Sequence, residues 1–174
     1  MERHRKRILA AIAAIATVGA LVAAAVIVVP ARATPSSGVT TTILAKSLFD
    51  EIHVGAHAHT ADRWKAKLKT DGQSDMYVVD NKFAPGGTTG WHSHPGPSLI
   101  LVVAGTVTNY LGDDPNCRPH TYAAGDGFID PGGGHVHLLR NETGALAETV
   151  AVQLLPQGAE RRIDVPVAPG NCPF

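Results

Sequence analysis

Residues 86–105 read Gly86-Gly87-Thr88-Thr89-Gly90-Trp91-His92-Ser93-His94-Pro95-Gly96-Pro97-Ser98-Leu99-Ile100-Leu101-Val102-Val103-Ala104-Gly105. The second half is a short apolar, β-branched run closed by Ala104-Gly105, a pattern that predicts a buried strand ended by a turn. The first half is dense in glycine and proline, which supply tight corners. Between them His92 and His94 stand at i and i+2, and on a strand such positions point to the same face.

The same texture extends outward on both sides. Met76 to Val79 precedes a turn at Pro85-Gly86-Gly87. Thr106 to Leu111 leads to Gly112-Asp113-Asp114-Pro115-Asn116, and Thr121 to Ala124, Phe128 to Asp130, His135 to Arg140 and Ala147 to Leu155 follow, separated by glycine-rich clusters. Short strands at this spacing predict an all-β sandwich or barrel. No repeat of solenoid or propeller period is visible.

A second histidine cluster lies in Gly125-Asp126-Gly127-Phe128-Ile129-Asp130-Pro131-Gly132-Gly133-Gly134-His135-Val136-His137-Leu138-Leu139-Arg140-Asn141. If the strands close into a barrel, His92 and His94 face its interior, and His135 or His137 can join them on one ion. Neutral imidazole is the commonest side-chain metal ligand, and three from two strands leave coordination positions open. The competing reading is barrel histidines that hydrogen-bond without a metal.

Residues 86–141 resemble the cupin superfamily, of the type-2 cupin domain. Its first motif, Gly-x5-His-x-His-x3,4-Glu-x6-Gly, matches Gly86, His92, His94 and Gly105; its second, Gly-x5-Pro-x-Gly-x2-His-x3-Asn, matches Gly125, Pro131, His137 and Asn141. The resemblance implies a small antiparallel double-stranded β-helix, or jelly-roll, barrel. It also implies one divalent metal held by His92, His94 and His137, and a small-molecule ligand at the barrel mouth. A homodimer is a further family-level expectation.

Two departures modify that expectation. Ser98 occupies the glutamate position of the first motif; a serine hydroxyl is a poor metal ligand at neutral pH, so Ser98, like His135, counts only as a possible additional ligand. One extra residue separates Pro131 from His137, so the glycine-rich turn must bulge; His135 therefore competes with His137 as third ligand, and a site of four histidines stays open. An all-histidine site favours Fe, Zn, Ni or Cu over hard Mg or Ca, with Mn admissible. Cupins with three histidines include dioxygenases, so the resemblance implies a dioxygenase or an isomerase- or lyase-like enzyme, against a non-catalytic metal or small-ligand binding module.

Composition bounds the rest. The chain has 174 residues, 15 basic and 15 acidic, with 44% hydrophobic and 17% charged residues, which suits one globular domain and excludes extensive disorder. Without a basic excess, nucleic-acid binding is not expected. Residues 1–33 hold five of the basic residues and one of the acidic ones, leaving 10 against 14 in residues 34–174, a formal charge of −4.

That basic start precedes 22 uncharged residues, Ile8 to Val29, and then Pro30-Ala31-Arg32-Ala33. The pattern predicts an apolar helix ahead of the barrel, read as a signal peptide cleaved after Ala33 or as a membrane anchor spanning residues 8–29. Either places the remainder outside the cytoplasm. Residues 34–42 read as a linker and 43–174 as the single barrel domain, with an extended arm or short helix at 62–69.

Cys117 and Cys172, an even pair in the part expected to be exported, predict one disulfide. His53, His57 and His59 precede the barrel and are expected on the surface, as is His120. Trp91 is placed against the pocket or the barrel wall, Arg140 in a surface ion pair, and Asp126 and Asp130 in turns.

Overall fold

A computed structural model describes residues 35–58 and 64–174. Among the described residues there are twelve strands and no helix. The predicted apolar helix at the amino terminus lies outside the described residues, as does His59.

The framework is β1 (Ser37–Phe49), β4 (Ser74–Thr88), β5 (His92–Ser93), β6 (Ser98–Ala104), β7 (Thr106–Leu111), β8 (His120–Ala123), β9 (Gly127–Asp130), β10 (His137–Arg140), β11 (Ala147–Pro156) and β12 (Ile163–Asp164). β2 (His53–His57) and β3 (Lys65–Lys69) form a separate hairpin. One run of paired strands is β1-β4-β11-β6-β9 and the other is β12-β5-β10-β7-β8; they join where Arg140 pairs with Thr88. All pairings are antiparallel, and the strands form a nearly closed jelly-roll barrel.

The core follows from side-chain alternation. Along β11, Ala147, Thr149, Ala151, Gln153 and Leu155 are buried while the residues between them are half-exposed. On β6, Ser98, Ile100 and Val102 point inward, and Leu99, Leu101 and Val103 outward. Phe83, Val102, Val107, Leu139 and Ala147 pack together at one end of the interior, and Trp91, Tyr110 and Leu138 form a second cluster. Gly105 turns β6 into β7 at φ 67°, and a Cβ there would lie 2.8 Å from the Ala147 Cα, so the corner admits no side chain.

Three expectations are corrected. Residues 34–42 are not a linker throughout: β1 starts at Ser37, and its Val39-Thr40-Thr41-Thr42 run pairs with Phe83, Lys82, Asn81 and Asp80. β-branched residues suit the pleated edge of a sheet, and this outweighs the linker-like polarity of the segment. Pro85-Gly86-Gly87 does not end its strand; it is an irregularity within β4, where register shifts between Ser37 and Val39 and Gly86 takes φ 74°. Of the two readings of 62–69, the helix is the one overturned: Lys65–Lys69 is extended and forms β3.

Cys117 and Cys172 are joined by a disulfide with Cα atoms 5.2 Å apart. Both pack beside Trp91, Tyr110 and Leu138, so the bond fastens the carboxyl-terminal segment over that cluster.

Candidate metal centre

His92 lies on β5 and His137 on β10, directly paired across the sheet, and His94 follows one residue beyond β5. Their ring centroids are 4.5 Å (His92 to His137), 4.9 Å (His92 to His94) and 5.6 Å (His94 to His137) apart. One nitrogen from each falls within 4.8 Å of the others, and all three residues are buried.

The tautomers of two rings are fixed by backbone carbonyls. Nδ1–H of His92 donates to the Gly90 carbonyl at 2.8 Å, and Nδ1–H of His94 to the Arg161 carbonyl at 2.6 Å. In the neutral rings this leaves each Nε2 with its lone pair free, the arrangement that orients a histidine toward a metal. Both nitrogens of His137 are buried without a hydrogen bond. Burial pushes all three imidazoles below their ordinary pKa, His92 well below and His137 to about 3, with neighbouring imidazoles and the Arg162 guanidinium adding to the effect for those two. Three neutral, desolvated nitrogen donors converging on one point fit a divalent ion of borderline softness.

His135 is not part of this set. It sits in the bulged turn before β10, Nδ1 3.5 Å from Asp130 Oδ1 and Nε2 3.8 Å from Asp113 Oδ1, so of the two it is His137 that clusters with His92 and His94. The turn bulges because Gly132, Gly133 and Gly134 all take positive φ, and Gly132 packs on the Gly96 backbone.

Ser98 is 1% exposed and lines the cavity beside the histidines. Its hydroxyl accepts a hydrogen bond from Gln153 Nε2 at 3.0 Å, and Gln153 Oε1 accepts one from Arg161 Nη1 at 3.1 Å. The position expected to carry a glutamate thus anchors a neutral amide.

A carboxylate stands on the neighbouring strand, where Asp130 pairs directly with Ser98. Asp130, expected in a turn, ends β9 and is 2% exposed; its Oδ1 accepts from the Gly132 amide at 3.2 Å, and its Oδ2 lies 3.9 Å from His137 Nε2. Its burial is not legible in the sequence, because a residue before proline in a glycine-rich stretch carries no burial signal. Gln153 is legible only once β11 is paired and its inward face known. Arg161 and Arg162 lie outside both motifs, and no sequence pattern marks them.

Other expected residues fall outside the centre. His53 and His57 are exposed on the separate hairpin, and His120 opens β8, half-buried. Trp91 is buried against Tyr110 and Leu138. Arg140 pairs with Glu142 at 3.8 Å and stacks over Phe174 at 4.2 Å, away from the cavity. Asp126 is exposed and caps its turn by accepting from the Ala123 amide at 2.8 Å. Asn141 is fully buried: its Nδ2 donates to the Phe83, Ala84 and Ala145 carbonyls, and its Oδ1 accepts from the Thr143 amide and hydroxyl. The second-motif asparagine is therefore a lock between β4 and the turn after β10.

The family model described as "Cupin domain" matches residues 81–153, the segment that carries all three histidines and both motifs. The chain carries a cupin domain. Solved structures similar to it include an oxalate oxidase, 23% identical over 52% of this chain and 46% of that one (TM-score 0.44). The polyketide cyclase RemF from Streptomyces resistomycificus is 20% identical over 54% of this chain and 64% of that one (TM-score 0.44). A cupin superfamily protein from Desulfitobacterium hafniense is 14% identical over 62% and 81% (TM-score 0.41). The chain spans about half the length of the oxalate oxidase it matches. No curated protein matches it.

Proposed function

We propose that this cupin domain binds one divalent metal ion through His92, His94 and His137 and acts with it on a small molecule held in the adjoining cavity, as an oxygenase or an isomerase- or lyase-like enzyme. The observation that carries the reading is the pair of carbonyl-locked imidazoles, His92 and His94, whose Nε2 atoms share a buried point with His137. A bound ion there supplies Lewis-acid polarisation of a ligand oxygen and, if it is iron, manganese or copper, redox chemistry. The protein's own contribution is positional. Gly90 and Arg161 carbonyls hold two ligands in orientation, and Val79, Ile100, Leu139 and Ala151 form an apolar wall of the cavity.

The second reading, a non-catalytic metal or small-ligand binding module, is favoured by Ser98, which leaves the first motif without its carboxylate. We further propose that the protein is exported through residues 1–33. The Cys117–Cys172 disulfide supports this, since such bonds persist in oxidising compartments.

Elemental analysis of the purified protein beside a His92→Ala, His94→Ala variant tests the metal site. Near-stoichiometric metal in the wild type and its loss in the variant is the expected result; absence of metal after incubation with Fe(II), Mn, Zn, Ni and Cu overturns it. Turnover of thiols, diketones or phenolics by the loaded protein separates enzyme from binding module. Amino-terminal sequencing of protein recovered from the medium tests export.

A further inference from the structure

Arg161 and Arg162 follow the turn after β11 and line the same cavity as the three imidazoles. The two guanidinium groups are held differently. Arg162 donates from Nη2 to the Thr89 carbonyl at 2.6 Å and is ion-paired with Asp164, its Nε lying 2.7 Å from Oδ1. Arg161 is half-buried, donates from Nη1 to Gln153, and has no carboxylate within 4.0 Å among the described residues.

The cavity lining contains no aspartate or glutamate. Asp130 contributes one negative charge from beside His137, and Asp164 is already engaged by Arg162. A divalent ion on three neutral imidazoles would add two positive charges to that of Arg161. Removing a guanidinium from water without a counter-charge is costly, so the arrangement is matched to an anion that arrives with the ligand. Ser98 fits the same logic: a glutamate there would reach toward Gln153 and Arg161 and neutralise the field, whereas serine leaves it available.

We propose that the cavity takes a small organic carboxylate, its carboxylate group held by the Arg161 guanidinium and its carbon skeleton against Val79, Ile100 and Leu139. This deepens the reading of the cavity as the ligand site and rests on it. The free volume, about 50 Å³, limits the ligand to a few heavy atoms beyond the carboxylate. Gln153 acts as a positioning residue, fixing the guanidinium through Oε1 while its Nε2 is tied to Ser98.

The test is isothermal titration of the full chain, loaded with Zn(II), with acetate and malonate and with their neutral counterparts acetamide and malonamide. Arg161→Gln and Arg161→Lys are measured in parallel, with metal content and thermal unfolding recorded for each. The glutamine retains a donor for Gln153 and the backbone carbonyl that holds His94. Expected are binding of a carboxylate and not of its amide, a loss of about tenfold or more in affinity in Arg161→Gln, and partial retention in Arg161→Lys. Equal binding of acids and amides, carboxylate affinity unchanged in a folded Arg161→Gln, or no carboxylate binding to the loaded wild type overturns the proposal. Carboxylate binding that needs Arg161 in a protein that holds no metal would overturn the metal centre and sustain this inference. Retained metal with no effect of Arg161→Gln would do the reverse.

Discussion

Oδ2 of Asp130 lies 3.9 Å from Nε2 of His137; both atoms are buried, and neither has a hydrogen bond. Buried polar atoms in folded proteins are nearly always partnered, so an anionic oxygen and an imidazole nitrogen left open side by side mark a place completed by a bound group. Asp130 is the direct cross-strand partner of Ser98, so the carboxylate that the first motif lacks stands on the adjacent strand, in the second motif.

Asp130→Asn therefore weakens metal binding. The amide oxygen can still accept from Gly132, so the turn is preserved while the charge beside His137 is removed. Loss of a partner next to a metal ligand costs about 10- to 100-fold in metal affinity. Chelator competition measures this, and an affinity equal to that of the wild type would remove Asp130 from the site.

The metal-free protein loses stability as the solution is acidified below the ordinary histidine range. In the unfolded chain His92, His94 and His137 each take up a proton near pH 6.5, whereas burial holds the folded-state values lower, His137 at about 3. Between those limits the unfolded state binds more protons, so stability is full above pH 6.5 and falls as pH drops toward 3, by at most about 1.4 kcal/mol per pH unit for each ring. Thermal denaturation of metal-free protein at pH 7 and pH 5 should show a lower Tm at pH 5. The decrement should shrink in His137→Gln; an identical decrement in that variant contradicts the assignment.

Asn141→Ala destabilises the domain by about 3 kcal/mol, because several carbonyl and amide groups around a fully buried side chain lose their partner at once. Urea denaturation gives the figure. A loss below about 1 kcal/mol would mean that water replaces the side chain and that the asparagine does not lock β4 to the turn after β10.

Cys172→Ser lowers stability by up to about 4 kcal/mol in the chain-entropy description, since the bond closes 55 residues of chain. It also releases the end at which Phe174 packs on Tyr110, ring centroids 5.0 Å apart. Hydrogen exchange should then rise first in residues 165–174, with the metal content retained. Metal loss in a folded Cys172→Ser would show that this segment also maintains the centre.

By itself the sequence determined the strand texture from Ser74 to Leu155, the pairing of two cysteines, and the identity of His92 and His94. Each is encoded locally, by alternation, turn chemistry or fixed spacing. Sequence leaves the choice between His135 and His137 open, because the extra glycine hides how the turn accommodates one more residue; only the packing of Gly132 on Gly96 and the pairing of His137 with His92 bring His137, and not His135, beside the other two rings. Likewise Asp130, Gln153 and the adjacent pair Arg161 and Arg162 come from three separated places in the chain and gain their meaning only where the barrel closes. Local preferences of the backbone are short-ranged and readable in order, whereas the electrostatics of a cavity depend on which distant side chains the sheet register turns inward.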